Sequence, residues 1–406
     1  MLPNGPPHIN MARPVAIIGT GQTDHCSRRQ DVSIPEMIHE AVDRALMNAG
    51  LSPASATSGG SGGVDAVIIG NMEHFEGIHL SDLWPVEGSG GFGKPGIKVA
   101  TGGCTGTSLA IAAYYMVASG LYDRVMAVGW EMLSASAGET STGIVTAFDP
   151  IYERPTLAGA ISALAILACH YVERYRIPPE QAALAMVKAR LNSSKNPHAH
   201  LKKPVTVDEV MASPMLSYPI RLLDMCPTSD GACAVIFASE EGVRNSAGRP
   251  SWVRAVASCH NHTYLGDTFS GSATYKNTLQ EAARLAYRQA GITHPRREID
   301  MAEIYSPCTF AELEWLEDLG FCGPGEGGRL IESGATEIGG DIPVNPSGGV
   351  LCTNPIGATG LIRVAEAAIQ VRGEGGERQV PGVRTAMATG FGGSFWNEVL
   401  ILSGER

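Results

Sequence analysis

The chain has 406 residues, 44% of them hydrophobic, and carries a formal net charge of −11 at neutral pH. This length suits two or three domains, or one large duplicated domain. The acidic balance argues against nucleic acid as a partner, and no apolar run reaches the roughly 18 residues that a membrane helix requires.

Short β-prone runs alternate with helical patterns along most of the chain. Strands are predicted at 15–19, 65–70, 97–101, 125–130, 232–238, 252–258, 301–305, 385–389 and 398–402. Helices are predicted at 34–49, 109–117, 158–175, 179–191, 279–290, 310–319 and 357–371. Residues 52–63 are a flexible connector rich in glycine and serine. The stretch from 134 to about 219 interrupts the alternation and is predicted to be an insertion on the sheet scaffold.

The N-terminus and the cysteines favour the cytoplasm. The first 13 residues contain no long apolar core flanked by basic residues, so we expect no secretory signal. The nine cysteines are scattered, odd in number and never spaced Cys-x-x-Cys. This pattern is typical of free thiols in a reducing compartment and argues against a zinc site. We therefore expect a soluble, cytoplasmic protein without a metal site of its own.

Two segments of the chain repeat. EAVDRALMNAGL at 40–51 matches EAARLAYRQAGI at 281–292 in five of its twelve positions, and each leads to a strand that follows an aspartate, Asp65 or Asp300. Each half then reaches a glycine-flanked turn that opens an apolar helix, with Cys104 in one turn and Asn354 in the other. Two largely parallel half-sheets, back to back with one helix of each between them, would bring these two side chains into one pocket.

Cys104 is the leading candidate for a nucleophile, because it falls at a strand-to-helix turn. At a helix N-terminus the unpaired backbone N–H groups and the positive end of the dipole stabilise an anion. A cysteine placed there can therefore have a lowered pKa and react as a thiolate. From its position alone, a small buried core residue is the alternative.

Several motifs resemble the thiolase superfamily, on the branch of the thiolase part of sterol carrier protein 2. They are GGCTGTSLA, SPMLSYPIRLLDMCPTSDGACAVIFAS, the run from LGFCGPGEGG to CTNPIGATG, and ATGFGGS, so the resemblance covers nearly the whole chain. It implies an α/β thiolase fold of two duplicated βαβαβαββ halves in a five-layer αβαβα arrangement with an inserted loop domain. The halves are expected at 14–265, with the insertion at about 131–219, and at 266–406.

The resemblance also implies acyltransferase chemistry of the acetyl-CoA acyltransferase kind. Cys104 would accept the acyl group, and its backbone N–H with that of Gly392 would form the oxyanion hole. Coenzyme A would be a co-substrate, with no permanently bound cofactor. Lys195, Lys202 and Lys203, in the inserted region where thiolases place CoA, could meet the CoA phosphates. A solvated loop is the alternative for this basic segment.

Three positions depart from the usual thiolase pattern. Asn354 replaces the histidine of a Gly-His-Pro motif, and an asparagine can donate a hydrogen bond to an enolate oxygen but cannot accept a proton at neutral pH. Residues 305–308, Tyr-Ser-Pro-Cys, replace Asn-Glu-Ala-Phe or His-Asp-Cys-Phe. Gly390 stands where many thiolases have a second catalytic cysteine. The usual proton-transfer residue is therefore absent from its usual place.

Four residues are candidates for the missing group. His74 lies in the loop NMEHFEG, which under the repeat is the partner of the loop at 305–309; a surface histidine is the alternative. Tyr305 matches a tyrosine of thiolase-like steroid side-chain aldolases, and we expect it to hydrogen-bond a carbonyl. Cys308 is either a displaced acid/base cysteine or a core residue. Cys352, beside Asn354, is the fourth candidate.

These features predict an enzyme that cleaves or forms a 3-oxoacyl-CoA through a Cys104 acyl-enzyme. The departures fall on the side where the second acyl group binds, so the predicted substrate is bulky, an aromatic 3-oxoacyl-CoA of the benzoylsuccinyl-CoA kind. A carbon–carbon lyase using Tyr305 and a non-catalytic binding subunit are the alternatives. The resemblance further implies a homodimer and a small zinc-ribbon and OB-fold partner subunit.

Overall fold

A computed structural model describes residues 13–52, 63–73, 83–136, 144–145, 148–156, 159–244, 246–261, 264–269, 277–393 and 396–406. The strands are β1 (Val15–Gln22), β2 (Ala66–Gly70), β3 (Gly96–Lys98), β4 (Arg124–Met132), β5 (Met215–Ser217), β6 (Ile220–Arg221), β7 (Asp230–Ser239), β8 (Ser251–His260), β9 (Met301–Glu303), β10 (Thr385–Phe391) and β11 (Trp396–Ser403). The helices are α1 (Ile34–Asn48), α2 (Thr105–Ala118), α3 (Ala160–Tyr175), α4 (Pro179–Ser193), α5 (Val207–Ala212), α6 (Glu240–Arg244), α7 (Thr278–Ala290), α8 (Pro295–Glu298), α9 (Thr309–Asp318), α10 (Gly327–Glu332) and α11 (Ile356–Arg372). Each predicted strand and helix is present with shifted ends.

Helix α1 shows why the local predictions succeed. The Ser33 side chain accepts a hydrogen bond from the Glu36 N–H, and the Glu36 carboxylate accepts one from the Ser33 N–H at 2.8 Å. This reciprocal cap satisfies backbone donors that a helix N-terminus leaves unpaired. The chain leaves the helix at Gly50, whose φ of 71° is the left-handed conformation that glycine adopts without strain.

The strands form one hydrogen-bonded sheet in the order β3-β2-β4-β7-β1-β8-β11-β10-β9, and β5 and β6 form a separate hairpin. Strands β1 and β8 are joined only through Ala16 with Trp252 and Ile17 with Ser251. The sheet therefore consists of two half-sheets, of β3-β2-β4-β7-β1 and of β8-β11-β10-β9, that meet at this short junction.

The expectation of largely parallel half-sheets is wrong. Strand β2 pairs in parallel with β3 and β4, but β7 runs antiparallel to both β4 and β1. In the second half β9 and β10 are parallel, whereas β11 is antiparallel to both β10 and β8. Adjacent strands joined by a very short connection can pair only antiparallel, and only four residues separate the end of β10 at Phe391 from the start of β11 at Trp396. In the first half, the corresponding strands β4 and β7 are joined by the long insertion.

Three hydrophobic clusters separate five layers. Helix α1 packs on the outer face of the first half-sheet. Helices α2 and α11 lie together between the two half-sheets, in a cluster with side chains from both of them. Helices α7 and α9 cover the outer face of the second half-sheet. The predicted α/β thiolase fold with αβαβα layering is confirmed.

The two halves repeat down to individual hydrogen bonds. The Asp65 carboxylate accepts hydrogen bonds from the backbone N–H groups at 123–124, at 2.9 and 2.8 Å. The Asp300 carboxylate accepts the equivalent pair from the N–H groups at 384–385, both at 2.8 Å. Each aspartate thus joins the start of one parallel strand to the start of its neighbour. This equivalence makes the turns of Cys104 and Asn354 counterparts in the two halves.

The chain between β4 and β7 carries α3, α4, α5 and the β5–β6 hairpin. Helices α3 and α4 pack against α9 through the outer cluster of the second half-sheet. The insertion therefore lies against a helix that covers the outer face of the second half-sheet. Among the described residues, no helix combines the length and the apolar character needed to cross a membrane.

Candidate active site

A cavity of about 510 Å³ opens where the two central helices begin. Its lining includes Gly102 and Gly103 from the turn before α2, Asn354 from the turn before α11, and Gly392 and Gly393 after β10. Residues between β4 and β7 supply most of its apolar wall, among them Leu133, Phe148, Ile161, Leu164, Leu216, Leu222, Leu223 and Met225. The two turns that the repeat predicts to converge therefore border one cavity.

Cys104 lies directly behind the wall of this cavity. Its side chain is fully buried, and its Sγ lies 3.4 Å from the Trp396 carbonyl oxygen. A Cβ on Gly392 would stand 3.2 Å from that sulfur. Gly103 and Gly392 both line the cavity, whereas Cys104 itself does not. The predicted meeting of the two side chains in one pocket therefore holds for Asn354, while the thiol of Cys104 lies against a glycine of the cavity wall.

The electrostatics of Cys104 differ from what its position on the helix suggests. Burial, and then the negative charge of Glu398, raise the pKa of the thiol well above its usual value, while a hydrogen bond with Thr107 opposes the shift. Glu398 is held against the start of α2 by the hydroxyls of Thr107 and Ser108. The lowering expected from a helix N-terminus is thus outweighed by desolvation. Cys104 rests as a thiol, and a base must remove its proton before it can attack.

The predicted oxyanion hole has one donor already in use. The Gly392 N–H donates to the Trp396 carbonyl at 2.8 Å, the same carbonyl that faces the Cys104 sulfur. A substrate oxygen could take this N–H only by replacing the Trp396 carbonyl. The pairing of the Cys104 and Gly392 N–H groups remains a prediction.

Asn354 is held rigidly at the cavity. Its backbone N–H donates to Ser229 Oγ at 3.1 Å, and its carbonyl accepts from the Ser229 N–H at 3.3 Å. Thr359 Oγ1 donates to its Oδ1 at 2.8 Å, and its Nδ2 donates to the sulfur of Cys226 at 3.3 Å. An amide nitrogen carries two N–H groups. The side chain can therefore keep these contacts and still donate to a ligand oxygen.

Tyr305 also lines the cavity, and its ring lies 6.2 Å from that of Phe391. Its hydroxyl is buried and forms no hydrogen bond of good geometry with a described residue, although the Thr359 side chain acts on it as a hydrogen-bonding neighbour. Burial raises the pKa of this phenol, and the neighbouring thiols of Cys226 and Cys104 act in the same direction. Tyr305 is therefore protonated at neutral pH and can donate to a ligand. The role expected from the sequence, a hydrogen bond to a substrate carbonyl, remains a prediction.

The remaining acid/base candidates lie elsewhere. Cys308 does not line the cavity; it is 1% exposed in the core around α9, and burial raises its pKa to about 12. Cys352 is fully buried in a small cluster beside α4, and burial raises its pKa to about 11. These placements fit the core alternative for Cys308. His74 lies outside the described residues.

The lysines predicted to bind CoA do not line the cavity near Cys104. Lys195 and Lys202 line a separate groove, and Lys202 Nζ donates to the Pro197 carbonyl at 2.6 Å. Lys203 is exposed, and its carbonyl accepts from Arg190 Nη1 at 3.2 Å. Among the described residues that line the Cys104 cavity, Arg190 provides the positive charge. The CoA contacts predicted for the lysines remain a prediction.

Cys226 and Arg190 are two titratable lining residues that the sequence analysis did not select as site residues. Cys226 lies in the motif CPTSDG, which carries part of the family resemblance, and its backbone N–H donates to the Pro307 carbonyl at 3.0 Å. This bond ties the Cys226 loop to the loop of Tyr305. Its place in this motif could have marked Cys226 as a candidate site residue. Its contact with Asn354 could not be predicted in the same way, because the two residues are 128 positions apart in the chain.

The described part of the chain contains no candidate metal centre. There, no group of three or more His, Cys, Asp or Glu side chains is arranged to hold a metal ion. All nine cysteines are free thiols.

Comparison with known proteins identifies the class. Residues 259–405 match the family model for thiolase C-terminal domain-like proteins. The chain is 36% identical over 387 residues to an acetyl-CoA acetyltransferase of Methanothermobacter thermautotrophicus, an alignment that covers 94% of this chain and 97% of that protein. It is 31% identical over 395 residues to sterol carrier protein 2 of Bos taurus, covering 93% of this chain and 70% of that protein.

A solved structure described as Ltp2-ChsH2(DUF35) aldolase superposes with a TM-score of 0.81 and 26% identity, covering 97% of this chain and 98% of that chain. Together with the fold and the cavity, these similarities show that the chain belongs to the thiolase superfamily. The resemblance to the sterol carrier protein 2 branch is confirmed. The proteins it resembles include one named an acetyl-CoA acetyltransferase and one described as an aldolase.

Proposed function

We propose that the protein is a thiolase-type acyltransferase that cleaves or forms 3-oxoacyl-CoA esters through an acyl group carried on Cys104. The observation that supports this most directly is the place of the thiol. Cys104 lies at the N-terminus of α2, behind the glycine wall of a cavity that Asn354 and Tyr305 line. Two hydrogen-bond donors thus border this cavity, and the thiol that would carry the acyl group lies just behind its glycine wall. Acyl transfer needs a nucleophile and donors grouped in this way.

In the cleavage direction, the Cys104 thiolate attacks the 3-oxo carbon. The bond between carbons 2 and 3 then breaks, and its electron pair forms the enolate of the shorter acyl-CoA. The Asn354 N–H and the Tyr305 hydroxyl stabilise the enolate oxygen. The thiolate of CoA finally attacks the thioester on Cys104 and releases the second acyl-CoA. CoA is a co-substrate, and no permanently bound cofactor is needed.

The base that removes the Cys104 proton is assigned to His74, as the repeat predicts. The raised pKa of Cys104 makes such a base necessary. Replacing His74 by alanine tests the assignment, with the rate of Cys104 acylation as the readout. Unchanged acylation and turnover would remove His74 from the mechanism.

The acyl group is proposed to be bulky, of the aromatic 3-oxoacyl kind represented by benzoylsuccinyl-CoA. The support is the cavity, which has a volume of about 510 Å³ and is walled mainly by aliphatic side chains from the insertion. Cavities of several hundred Å³ with few polar groups suit ligands much larger than an acetyl group. Buried Arg190 offers a charge for an anionic part of the acyl-CoA.

The protein is proposed to act in the cytoplasm as a homodimer. Strand β3 lies at one edge of the sheet, and nearby Trp84, Phe92 and Ile97 are exposed. An uncovered apolar edge of this kind is a natural site for pairing between copies.

A small zinc-ribbon and OB-fold partner subunit is proposed as well, because the similar aldolase carries a DUF35 component in its name.

Peptide mass measurement tests the proposed function. The protein is incubated with acetyl-CoA, acetoacetyl-CoA or an aromatic 3-oxoacyl-CoA and digested, and the peptide that contains Cys104 is weighed. We expect an acyl adduct on that peptide, and none in a Cys104→Ala variant. Absence of any adduct with all three esters would contradict the proposal.

A carbon–carbon lyase is the second candidate, favoured by the position of Tyr305 in the cavity wall and by the similarity to the aldolase. Aldol cleavage needs no acyl-enzyme, so Cys104→Ala would keep its activity and Tyr305→Phe would lose it. A non-catalytic binding subunit would bind acyl-CoA, form no adduct and release no product. The same two variants and the mass measurement therefore separate all three functions.

A further inference from the structure

We propose that Cys226 is a catalytic thiol that protonates carbon 2 of the enolate in cleavage and removes a proton from that carbon in synthesis. This inference rests on the proposed function. Cys226 is half-buried, lines the cavity and receives the hydrogen bond from Asn354 Nδ2 at 3.3 Å. Because the second N–H of the same amide is available to the enolate oxygen, an enolate held by that N–H would have its carbon 2 close to the sulfur.

The loop that carries Cys226 is fixed from two sides. The Cys226 N–H donates to the Pro307 carbonyl at 3.0 Å, which links it to the Tyr305 loop. Three residues later, Ser229 exchanges backbone and hydroxyl hydrogen bonds with Asn354. Cys226, Asn354 and Tyr305 are therefore held relative to one another before a ligand enters, as a proton-transfer group must be.

A thiol could not be supplied from position 390, where many thiolases have one. A Cβ on Gly390 would collide with the Thr107 hydroxyl and stand 2.8 Å from the Thr107 Cβ. Thr107 is itself fixed by its hydrogen bond to Glu398. The packing of α2 against β10 thus excludes any side chain at 390, and the thiol that reaches the cavity comes from the loop before β7.

The protonation state of Cys226 suits a proton donor. Burial raises the pKa of the thiol to about 12, against a smaller lowering by the Asn354 hydrogen bond. The sulfur accepts from Asn354, so its own S–H is directed elsewhere. When the proton leaves, the Asn354 N–H remains as a charge-assisted donor to the thiolate.

The proton is conserved over the cycle. In cleavage, the S–H bond of Cys226 breaks as a C–H bond forms at carbon 2, which converts the enolate into the released acyl-CoA. The Cys226 thiolate then takes the proton of the incoming CoA thiol. The CoA thiolate produced in this way attacks the acyl group on Cys104, and both sulfurs return to their starting states.

Two half-reactions of acetyl-CoA can be measured independently, so that proton transfer by Cys226 is distinguished from acyl transfer by Cys104. Acylation of Cys104 is followed by mass, and exchange of the carbon 2 hydrogens is followed by NMR in deuterium oxide. In Cys226→Ala we expect exchange to fall by about 100-fold or more, the usual contribution of a general acid or base. Acylation of Cys104 should fall by less than about tenfold, because the CoA thiolate can leave without a proton on carbon.

Two further variants control for a structural effect. Cys226→Ser keeps an acceptor for Asn354 but is a far weaker acid, so it should remain defective in exchange; restored exchange would overturn the proposal. Cys233→Ala removes a fully buried thiol that does not line the cavity, and it should leave both half-reactions near wild type. Equal loss of exchange in Cys233→Ala and Cys226→Ala would also overturn it.

Failure of the Cys226 role and failure of the proposed acyltransferase function give different results. Exchange retained in Cys226→Ala, or acylation lost in parallel with exchange, would overturn the role of Cys226 and leave the proposed function intact. Wild-type protein that acquires no acyl group on Cys104 would overturn the proposed function, and this inference with it.

Discussion

Gly106 of α2 and Gly360 of α11 touch where the two central helices cross: a Cβ on Gly106 would stand 2.8 Å from the Gly360 nitrogen and 2.9 Å from its Cα. The two glycines permit an approach that any side chain would prevent. Because Cys104 and Asn354 lie at the N-terminal ends of these helices, the crossing sets the distance between the two halves of the candidate site.

Gly106→Ala should therefore destabilise the protein, although alanine favours an isolated helix. The added Cβ would collide with the Leu361 nitrogen as well as with Gly360. Because only backbone movement can relieve this, we expect a loss of about 3 kcal/mol, the upper end for overpacking. Urea unfolding measures it. Gly266→Ala, where an added Cβ meets nothing within 4 Å, is the matched control; equal stability of the two variants would contradict the prediction.

Tyr305→Phe should reduce turnover without affecting folding. The hydroxyl forms no hydrogen bond of good geometry among the described residues, and the neighbouring Thr359 hydroxyl already donates to Asn354, so removing the Tyr305 hydroxyl should cost little intramolecular hydrogen bonding. As a donor to the enolate it should contribute about 100-fold to kcat. Steady-state kinetics with a 3-oxoacyl-CoA and urea unfolding give the two values. A stability loss with unchanged kcat would mean that the hydroxyl has a structural role.

Glu398→Gln should make Cys104 more reactive towards iodoacetamide. The carboxylate disfavours a nearby thiolate, so its removal lowers the pKa of Cys104 and moves the rise in alkylation rate to lower pH. Glutamine keeps acceptor and donor atoms for Thr107 and Ser108. The alkylation rate of the Cys104 peptide is measured between about pH 7 and 10. A pH profile that does not move would show that burial alone sets the pKa.

Arg190→Met should raise the KM for an acyl-CoA by about tenfold, the equivalent of one charge-assisted contact worth about 1.4 kcal/mol. The guanidinium lines the cavity and is buried, so its charge is little screened. Lys195→Met, in the separate groove, provides the comparison. A rise in KM for Lys195→Met alone would favour CoA phosphates lying in that groove.

Lys188→Met should cost about 3–5 kcal/mol, because it leaves the buried Glu312 carboxylate without its cation. Lys188 Nζ lies 2.6 Å from Glu312 Oε1, with side-chain exposures of 4% and 0%. This pair joins α4 of the insertion to α9. Arg284→Met, which breaks a partly exposed pair with Glu281, is the control and should cost less than about 1 kcal/mol. Similar unfolding midpoints for both variants would contradict the argument.

Stability should also fall as the pH rises through the alkaline range. Burial raises the pKa of Cys308 to about 12 and of Cys352 to about 11. In the unfolded chain these thiols ionise near about 8.5. Groups whose pKa is raised by folding stabilise the protein fully below the unfolded pKa, and this contribution is lost as the pH rises towards the folded value. Urea unfolding at pH 8 and pH 10 is expected to show the decrease; equal stability at both would contradict it.

Much of the fold follows from local patterns in the chain. Strand runs, helix periodicity and the Ser33 cap act over a few residues, so they predict where elements begin and end. The repeat that includes Asp65 and Asp300 extends this to the duplicated architecture. The turn at Cys104 is local too, which is why a nucleophile could be suggested there before any contact was known.

Features that depend on residues far apart in the chain could not be predicted from local sequence patterns. The direction of β7 depends on how the insertion returns to the sheet, and the pKa of Cys104 depends on burial and on Glu398, almost 300 positions away in the chain. The meeting of Cys226 with Asn354 likewise exists only in the folded molecule. Sequence spacing carries short-range backbone preferences, whereas desolvation, charge proximity and cavity lining arise when remote segments pack together, and these determine which thiol can react.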